Sequence, residues 1–257
     1  MSNPQNTGHC AACGSKLEYL KNAEPLTCTF CSKTVQGHIK CPQGHFICEA
    51  CHGKDAMKMI EEVVFSTQSK DPVGIAELMM GHPSLPMLGC EHAYIAAGAL
   101  MAALKNSPYG RNGGDDIREA FSRTSKQALG GYCGLTGVCG IAPAIGACFS
   151  IFLGARCGSD KEQKITMEAV TQVSQAIADL TGPSCCKAYA RAALAVAISL
   201  FAERFGIILP VRDASIICSH ADKHPHGCRE KRCPYFKEPS PDIFAGSVHL
   251  PVTGCRS

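Results

Sequence analysis

Residues 10–51, CAACGSKLEYLKNAEPLTCTFCSKTVQGHIKCPQGHFICEAC, are organised around pairs of metal-ligand side chains. The pairs, in chain order, are Cys10 with Cys13, Cys28 with Cys31, Cys41 with His45, and Cys48 with Cys51. A two-residue gap between cysteines lets both sulfur atoms of a tight turn bind one tetrahedral ion at about 2.3 Å. Seven cysteines and one histidine therefore predict two closed four-ligand sites, and this donor set fits two structural Zn²⁺ ions.

Two pairings of these eight ligands fit the spacing. The sequential pairing has one site made of Cys10, Cys13, Cys28 and Cys31, and a second made of Cys41, His45, Cys48 and Cys51. The crossed pairing has one site made of Cys28, Cys31, Cys48 and Cys51, and a second made of Cys10, Cys13, Cys41 and His45. Residues 28–51 resemble the first six ligands of a RING-type finger, although no last RING pair follows. Either pairing predicts a zinc-finger-like module with short β-hairpins over residues 1–53.

The composition of the whole chain excludes several classes of protein. Eighteen of the 257 residues are cysteine, 46% of the residues are hydrophobic, and the net charge is +3. A chain this apolar can bury a core, so we expect neither disorder nor a disulfide-stapled miniprotein. The small net charge argues against nucleic acid as a partner. No signal peptide is visible, so we expect a cytoplasmic protein whose thiols bind metals or undergo redox chemistry.

Residues 127–155 carry no charged side chain and raise the question of a membrane helix. A membrane span needs about 20 mostly apolar residues. The first half of this stretch, QALGGYCGLTGVCG, is instead rich in glycine and cysteine. We therefore expect a buried central helix and no membrane partner.

The hydrophobic pattern beyond residue 53 is helical. It predicts a mainly α protein, with an α-helical, cysteine-rich domain over residues 54–257 that includes an irregular C-terminal Cys/His segment. The predicted helices cover residues 55–66, 72–80, 92–105, 115–129, 141–156, 161–180 and 185–205. Residues 208–218, ILPVRDASIIC, predict a short strand.

Three cysteine groups of this domain lie in loops or at helix starts. They are Cys133 with Cys139, Cys185 with Cys186, and Cys218 with Cys228 and Cys233. Free N–H groups at a helix start and nearby cations lower the pKa of a thiol. We therefore predict a cofactor bound by Cys133, Cys139, Cys186, Cys228 and Cys233. The expected role of the thiols without ligand spacing is packing in the core, and these are Cys90, Cys148, Cys157 and Cys255.

Three sequence blocks of the domain carry a resemblance to known proteins. GGYCGLTGVCG (130–140), GPSCCKAYARAA (182–193) and CPYF (233–236) resemble an uncharacterised, cysteine-rich family of anaerobic prokaryotes, over most of residues 85–236. Residues 137–150 are similar to the cluster domain of iron–sulfur serine dehydratases and cysteine desulfidases. That resemblance implies a 4Fe–4S cluster with three cysteine ligands, whose open iron binds substrate as a Lewis acid. A Cys-Pro pair also ends the ligand run of bacterial ferredoxins.

These features predict an iron–sulfur-dependent enzyme, a lyase or a sulfur-transfer enzyme, acting on a small substrate, for which a sulfur-containing molecule is one candidate. Lys187 and Arg191 lie four residues apart on one helical face, where they could hold a carboxylate. His92 is the candidate acid or base. The alternative is a zinc-stapled interaction or redox-regulatory protein without catalytic activity. Further expected partners are a protein bound through the zinc module and a second copy of the chain in a homodimer.

Overall fold

A computed structural model of the chain describes residues 10, 13, 15–29, 31–48, 51, 54–110, 113–180, 182–211 and 216–237. Within these residues the protein is mainly α-helical, with a single two-stranded sheet near the N-terminus. The predicted fold class is therefore confirmed. The expected domain boundary at residue 53 stays a prediction.

The N-terminal sheet is an antiparallel hairpin of β1 (Glu18–Thr27) and β2 (Thr34–Lys40). Most of its side chains are exposed to solvent. Between residues 10 and 48, every buried residue that the structure describes is a cysteine, namely Cys10, Cys28, Cys41 and Cys48. A hairpin without an apolar core is marginal in water, and the buried side chains described around this one are all cysteines.

Eight helices follow the hairpin in the described part of the chain. They are α1 (Lys54–Ser66), α2 (Pro72–Met80), α3 (Glu91–Asn106), α4 (Gly114–Ser125), α5 (Tyr132–Thr136), α6 (Ile141–Leu153), α7 (Lys161–Asp179) and α8 (Cys186–Phe205). Two short 3₁₀ helices come later, at Ala221–Lys223 and Glu230–Arg232.

All seven predicted helices are present, and the differences have local causes. The short helix α5 was not predicted, because left-handed glycines at both of its ends leave only five residues for a helical pattern. Helix α6 ends at Leu153 instead of residue 156, because Gly154 adopts a left-handed conformation with φ +70°. The predicted strand at 208–218 is wrong for its described residues, 208–211 and 216–218, which form no strand.

Helix α3 is the centre of the helical domain and contacts α1, α2, α4, α6 and α8. From Glu91 to Leu104 every residue except Tyr94 is buried. Small side chains allow this close packing. A Cβ atom on Gly98 would lie 2.8 Å from Val64 on α1 and 3.0 Å from Phe121 on α4.

The apolar stretch at residues 141–153 is the buried helix α6 that its composition predicts. Its Phe149 and Phe152 pack against Phe201 and Phe205 of α8, with ring centroids between 4.5 and 6.4 Å apart. In the described part of the chain, each helix is too short or too polar to cross a bilayer.

The irregular segment 216–237 packs against the start of α8. His224 Nε2 donates to the Ser184 carbonyl at 3.0 Å, and Arg229 donates to the carbonyls of Leu180 and Pro183. The Tyr235 ring lies under the Arg191 guanidinium at 5.0 Å. These contacts bring the C-terminal cysteines to the first turn of α8.

Candidate metal centres

The eight ligand-type residues of the N-terminal module form two groups, and in each group the four ligand atoms lie within 4.8 Å of one another. One group contains Cys10, Cys13, Cys41 and His45, and the other contains Cys28, Cys31, Cys48 and Cys51. The Sγ atoms of Cys31 and Cys48 are 3.6 Å apart, and Cys41 Sγ lies 3.8 Å from His45 Nδ1. Sulfur atoms bound to one tetrahedral zinc are about 3.8 Å apart. Both groups could hold a metal ion.

The structure has the crossed pairing, and the antiparallel hairpin explains why. Glu18 at the start of β1 pairs with Lys40 at the end of β2, so Cys13 and Cys41 lie beyond the same end of the hairpin. Cys28 follows β1 at the other end. Ten extended residues span about 30 Å, so Cys13 and Cys28 cannot bind one ion.

Hydrogen bonds to sulfur support thiolates in both groups. The amide of Gln43 donates to Cys41 Sγ, and the amide of Cys48 donates to Cys28 Sγ, each at 3.3 Å. Hydrogen bonds with Ser15 lower the pKa of Cys13 to about 6. Hydrogen bonding with Cys31, and then burial, raise the pKa of Cys51 to about 12. Crowded thiols oppose one another's ionisation, and a bound cation removes that conflict.

In the helical domain, the structure divides the predicted cofactor ligands between two places. The first, which we call the three-thiol group, contains Cys133 on α5, Cys139 before α6 and Cys186 at the start of α8. Burial raises the pKa of Cys186 to about 12, and the charges of Cys139 and Cys133 act on it in the same direction. Cys139 Sγ accepts a hydrogen bond from the Ile141 amide, and Cys186 Sγ accepts one from the Gly89 amide.

The second place, which we call the four-thiol group, contains Cys185, Cys218, Cys228 and Cys233. These residues line one cavity of about 20 Å³, together with His220, Arg191 and Arg229. The adjacent residues Cys185 and Cys186 therefore belong to different groups. Sequence spacing grouped Cys218 with Cys228 and Cys233 but did not include it among the predicted ligands. It did not identify Cys185 as their partner, because that contact depends on how segment 216–237 packs.

The expected lowering of thiol pKa at helix starts is wrong for this structure. Burial raises the pKa of Cys139 to about 11 and also raises the pKa values of Cys185 and Cys233. Loss of water around a thiolate outweighs the helix dipole at these sites. Two thiols expected in the core differ from each other: Cys148 is fully buried, whereas Cys157 is exposed. A third, Cys255, lies outside the described residues.

The three candidate catalytic residues are all buried. Lys187 Nζ donates to the Met80 carbonyl at 2.7 Å. Arg191 makes a bidentate ion pair with Glu77, at 2.6 and 2.8 Å, so a substrate carboxylate would have to displace Glu77. The Glu77 partner was not predicted, because it comes from a different helix.

His92 has one occupied and one free ring nitrogen. Its Nδ1 donates to the Gly89 carbonyl at 3.2 Å, whereas its buried Nε2 has no hydrogen-bond partner. Burial, then the Lys187 charge, lowers the pKa of His92 to about 3, so the ring is neutral. Since Nδ1 carries the proton, Nε2 is a free proton acceptor.

Comparisons with known proteins identify a family. No curated protein and no solved structure matches the chain, so the similarity to iron–sulfur serine dehydratases has no support there. A family model described as "Family of unknown function (DUF5714)" matches residues 60–236, which include both thiol groups of the helical domain. This match covers more than half of the 257 residues. The chain therefore belongs to the Family of unknown function (DUF5714).

Proposed function

We propose that this protein is a metalloprotein whose N-terminal module binds two structural Zn²⁺ ions. The observation that carries the proposal is the convergence of eight ligand atoms into two groups of four, each within 4.8 Å. Nitrogen and sulfur donors favour zinc over calcium and magnesium. Four protein ligands close a zinc site to substrate, so these ions would stabilise the hairpin and hold a surface for a protein partner.

Zinc analysis of the purified chain tests this proposal. We expect about two zinc ions per chain, because two closed sites are present. We expect Cys28→Ser to remove about one, since it breaks one site and leaves the other complete. Cys157→Ser is the matched control, because its exposed thiol belongs to neither group. A wild-type chain without zinc, or equal zinc loss in both variants, would contradict the assignment.

A second candidate function is that of an iron–sulfur-dependent enzyme centred on the three-thiol group. The observation that favours it is that Cys133 and Cys139, from residues 132–140, and Cys186, at the start of α8, lie close enough for their charges to act on one another. When bound, a 4Fe–4S cluster with three protein ligands supplies an open iron that polarises a small substrate, for elimination or sulfur transfer.

The surrounding residues would have distinct tasks in such an enzyme. The Gly89 amide holds Cys186 Sγ, and the Gly89 carbonyl holds His92 Nδ1, so one residue orients a cluster ligand and the candidate base. His92 Nε2 would accept a hydrogen bond from the substrate, because it is neutral and unpartnered, whereas a ring with a pKa of about 3 is too weak a base to take up a proton near pH 7. Lys187 and Arg191 would attract an anionic substrate, with Glu77 as the group to be displaced.

Oxygen-free purification distinguishes this enzyme from the non-catalytic alternative. We expect brown protein with acid-labile sulfide, and loss of about four iron atoms in Cys139→Ser. The Cys157→Ser variant should keep its iron. A colourless, iron-free protein would contradict the cluster and favour a zinc-stapled interaction or redox-regulatory protein.

A further inference from the structure

We propose that the four-thiol group, made of Cys185, Cys218, Cys228 and Cys233, is a second and separate iron–sulfur site, in which all four ligands come from the protein. The inference goes beyond the proposed function, because none of these four cysteines belongs to the zinc groups or to the three-thiol group. The four residues come from the start of α8 and from segment 216–237, and they face one cavity.

The size of the cavity excludes a substrate pocket. Its volume of about 20 Å³ is too small for a free organic molecule, whereas metal atoms bonded to the thiols come closer than such a molecule can, because metal–sulfur bonds are only about 2.3 Å long. Cys233 is buried, and the other three thiols are half-buried. A site of this kind suits a group that is bonded to the thiols themselves, not a molecule that enters and leaves.

Backbone N–H groups point at the sulfur atoms in the way that they do in the zinc module. Cys228 Sγ accepts a hydrogen bond from the Glu230 amide at 3.3 Å, two residues further on. Cys233 Sγ accepts one from the Tyr235 amide, also two residues further on. Cys41 of the zinc module has the same bond from Gln43. Such bonds stabilise sulfur as thiolate, the form that binds metals.

The backbone has an unusual conformation at Glu230, the residue that donates this bond. Glu230 has φ +48°, which is unusual for a residue with a side chain. Among the described residues other than glycine, Ser32 is the second with a positive φ angle, and it directly follows Cys31 of a zinc group. Strain of this kind persists only where the surrounding structure holds it in place, and it is frequent at functional sites.

The buried positive charge beside the cavity would be stabilised by an anionic group. Arg229 is 5% exposed and donates to the carbonyls of Leu180 and Pro183, and no carboxylate among the described residues pairs with it. Arg191 hydrogen-bonds Cys218 in addition to its pair with Glu77. A buried charge without a counter-ion is costly. A metal centre with four thiolates carries net negative charge and would compensate Arg229.

The spacing of the sulfur atoms favours a cluster over a single zinc ion. Among the described residues, sets of three or more ligand atoms within 4.8 Å of one another occur in the zinc module alone, so no three sulfur atoms of this cavity lie that close together. In a 4Fe–4S cluster each cysteine binds a different iron, which separates the cysteines. Pro234 after Cys233 also matches the end of a ferredoxin ligand run.

Iron and sulfide analysis of oxygen-free protein, with variants of both groups, tests the proposal. We expect Cys218→Ser and Cys228→Ser each to lose about four iron atoms and four sulfides, and to keep their zinc. Cys157→Ser is the control that should lose none. Cys139→Ser should keep the iron of the four-thiol site, so failure of this site and failure of the three-thiol cluster give different results.

A measurement on the wild-type protein covers the case in which the variants fail to fold. We expect iodoacetamide to leave Cys218, Cys228 and Cys233 unmodified in native protein, and to modify them after iron is chelated. Mass spectrometry locates the labels, with the exposed Cys157 as the internal reference. Unchanged iron in both variants, loss of zinc in place of iron, or modification of Cys228 as rapid as that of Cys157 would overturn the proposal.

Discussion

His92 shows how one buried side chain ties stability to pH. Its ring has no exposed surface, and burial holds its pKa at about 3, below the usual 6.5. The unfolded chain therefore takes up a proton at higher pH than the folded chain does. The neutral ring contributes stability that is complete above pH 6.5 and is lost as the pH falls toward 3.

We expect His92→Gln to flatten the dependence of stability on pH. Between pH 7 and pH 5.5, protonation of the unfolded His92 should lower the free energy of unfolding of the wild type by about 1 kcal/mol more than that of the variant. Urea unfolding at both pH values measures the difference. The exposed His82 provides the control, and His82→Gln should keep the wild-type dependence. An equal pH dependence in wild type and His92→Gln would contradict the account.

At the scale of helices, the ion pair between Glu77 and Arg191 links α2 to α8. Arg191 is 3% exposed and Glu77 is 31% exposed, and both guanidinium bonds are short. The same pair holds Arg191 at the edge of the four-thiol cavity. Its loss would therefore affect both helix packing and the thiol site.

We expect Glu77→Gln to lower the free energy of unfolding by about 2 kcal/mol, because it leaves a buried guanidinium without its charged partner. Glu61→Gln on α1 is the matched control, since Glu61 is exposed, and its effect should stay within about 0.5 kcal/mol. Urea unfolding of the two variants measures the difference. Similar losses in both would show that the ion pair does not fasten the helices.

At the scale of the whole molecule, the two parts of the chain are stabilised in different ways. The helices bury a continuous apolar core around α3, whereas the buried residues described between residues 10 and 48 are cysteines. The contacts between Tyr19 and His226, and between His38 and Tyr132, join the hairpin to the helical domain. The hairpin should therefore depend on zinc while the helices do not.

Removal of zinc with a chelator should unfold the hairpin and leave the helical core in place. Hydrogen exchange followed by mass spectrometry should show fast exchange at residues 34–40 and unchanged protection in α3. Added zinc should restore the protection of the hairpin. Simultaneous loss of protection in both regions would show one cooperative unit, and unchanged protection at 34–40 would show that metal does not stabilise the hairpin.

Local patterns in the sequence determined the elements and the ligand types of this protein. Apolar spacing and terminal residues are properties of neighbouring residues, so seven helices and the eight zinc-type ligands could be predicted. Contacts between distant segments were decided by the tertiary structure alone. The pairing of the two strands places the ligands of the crossed arrangement together. The turn into α8 places Cys185 and Cys186 in different groups. Glu77 binds Arg191, which is 114 residues away in the sequence. These contacts depend on packing between elements, which spacing along the chain does not encode.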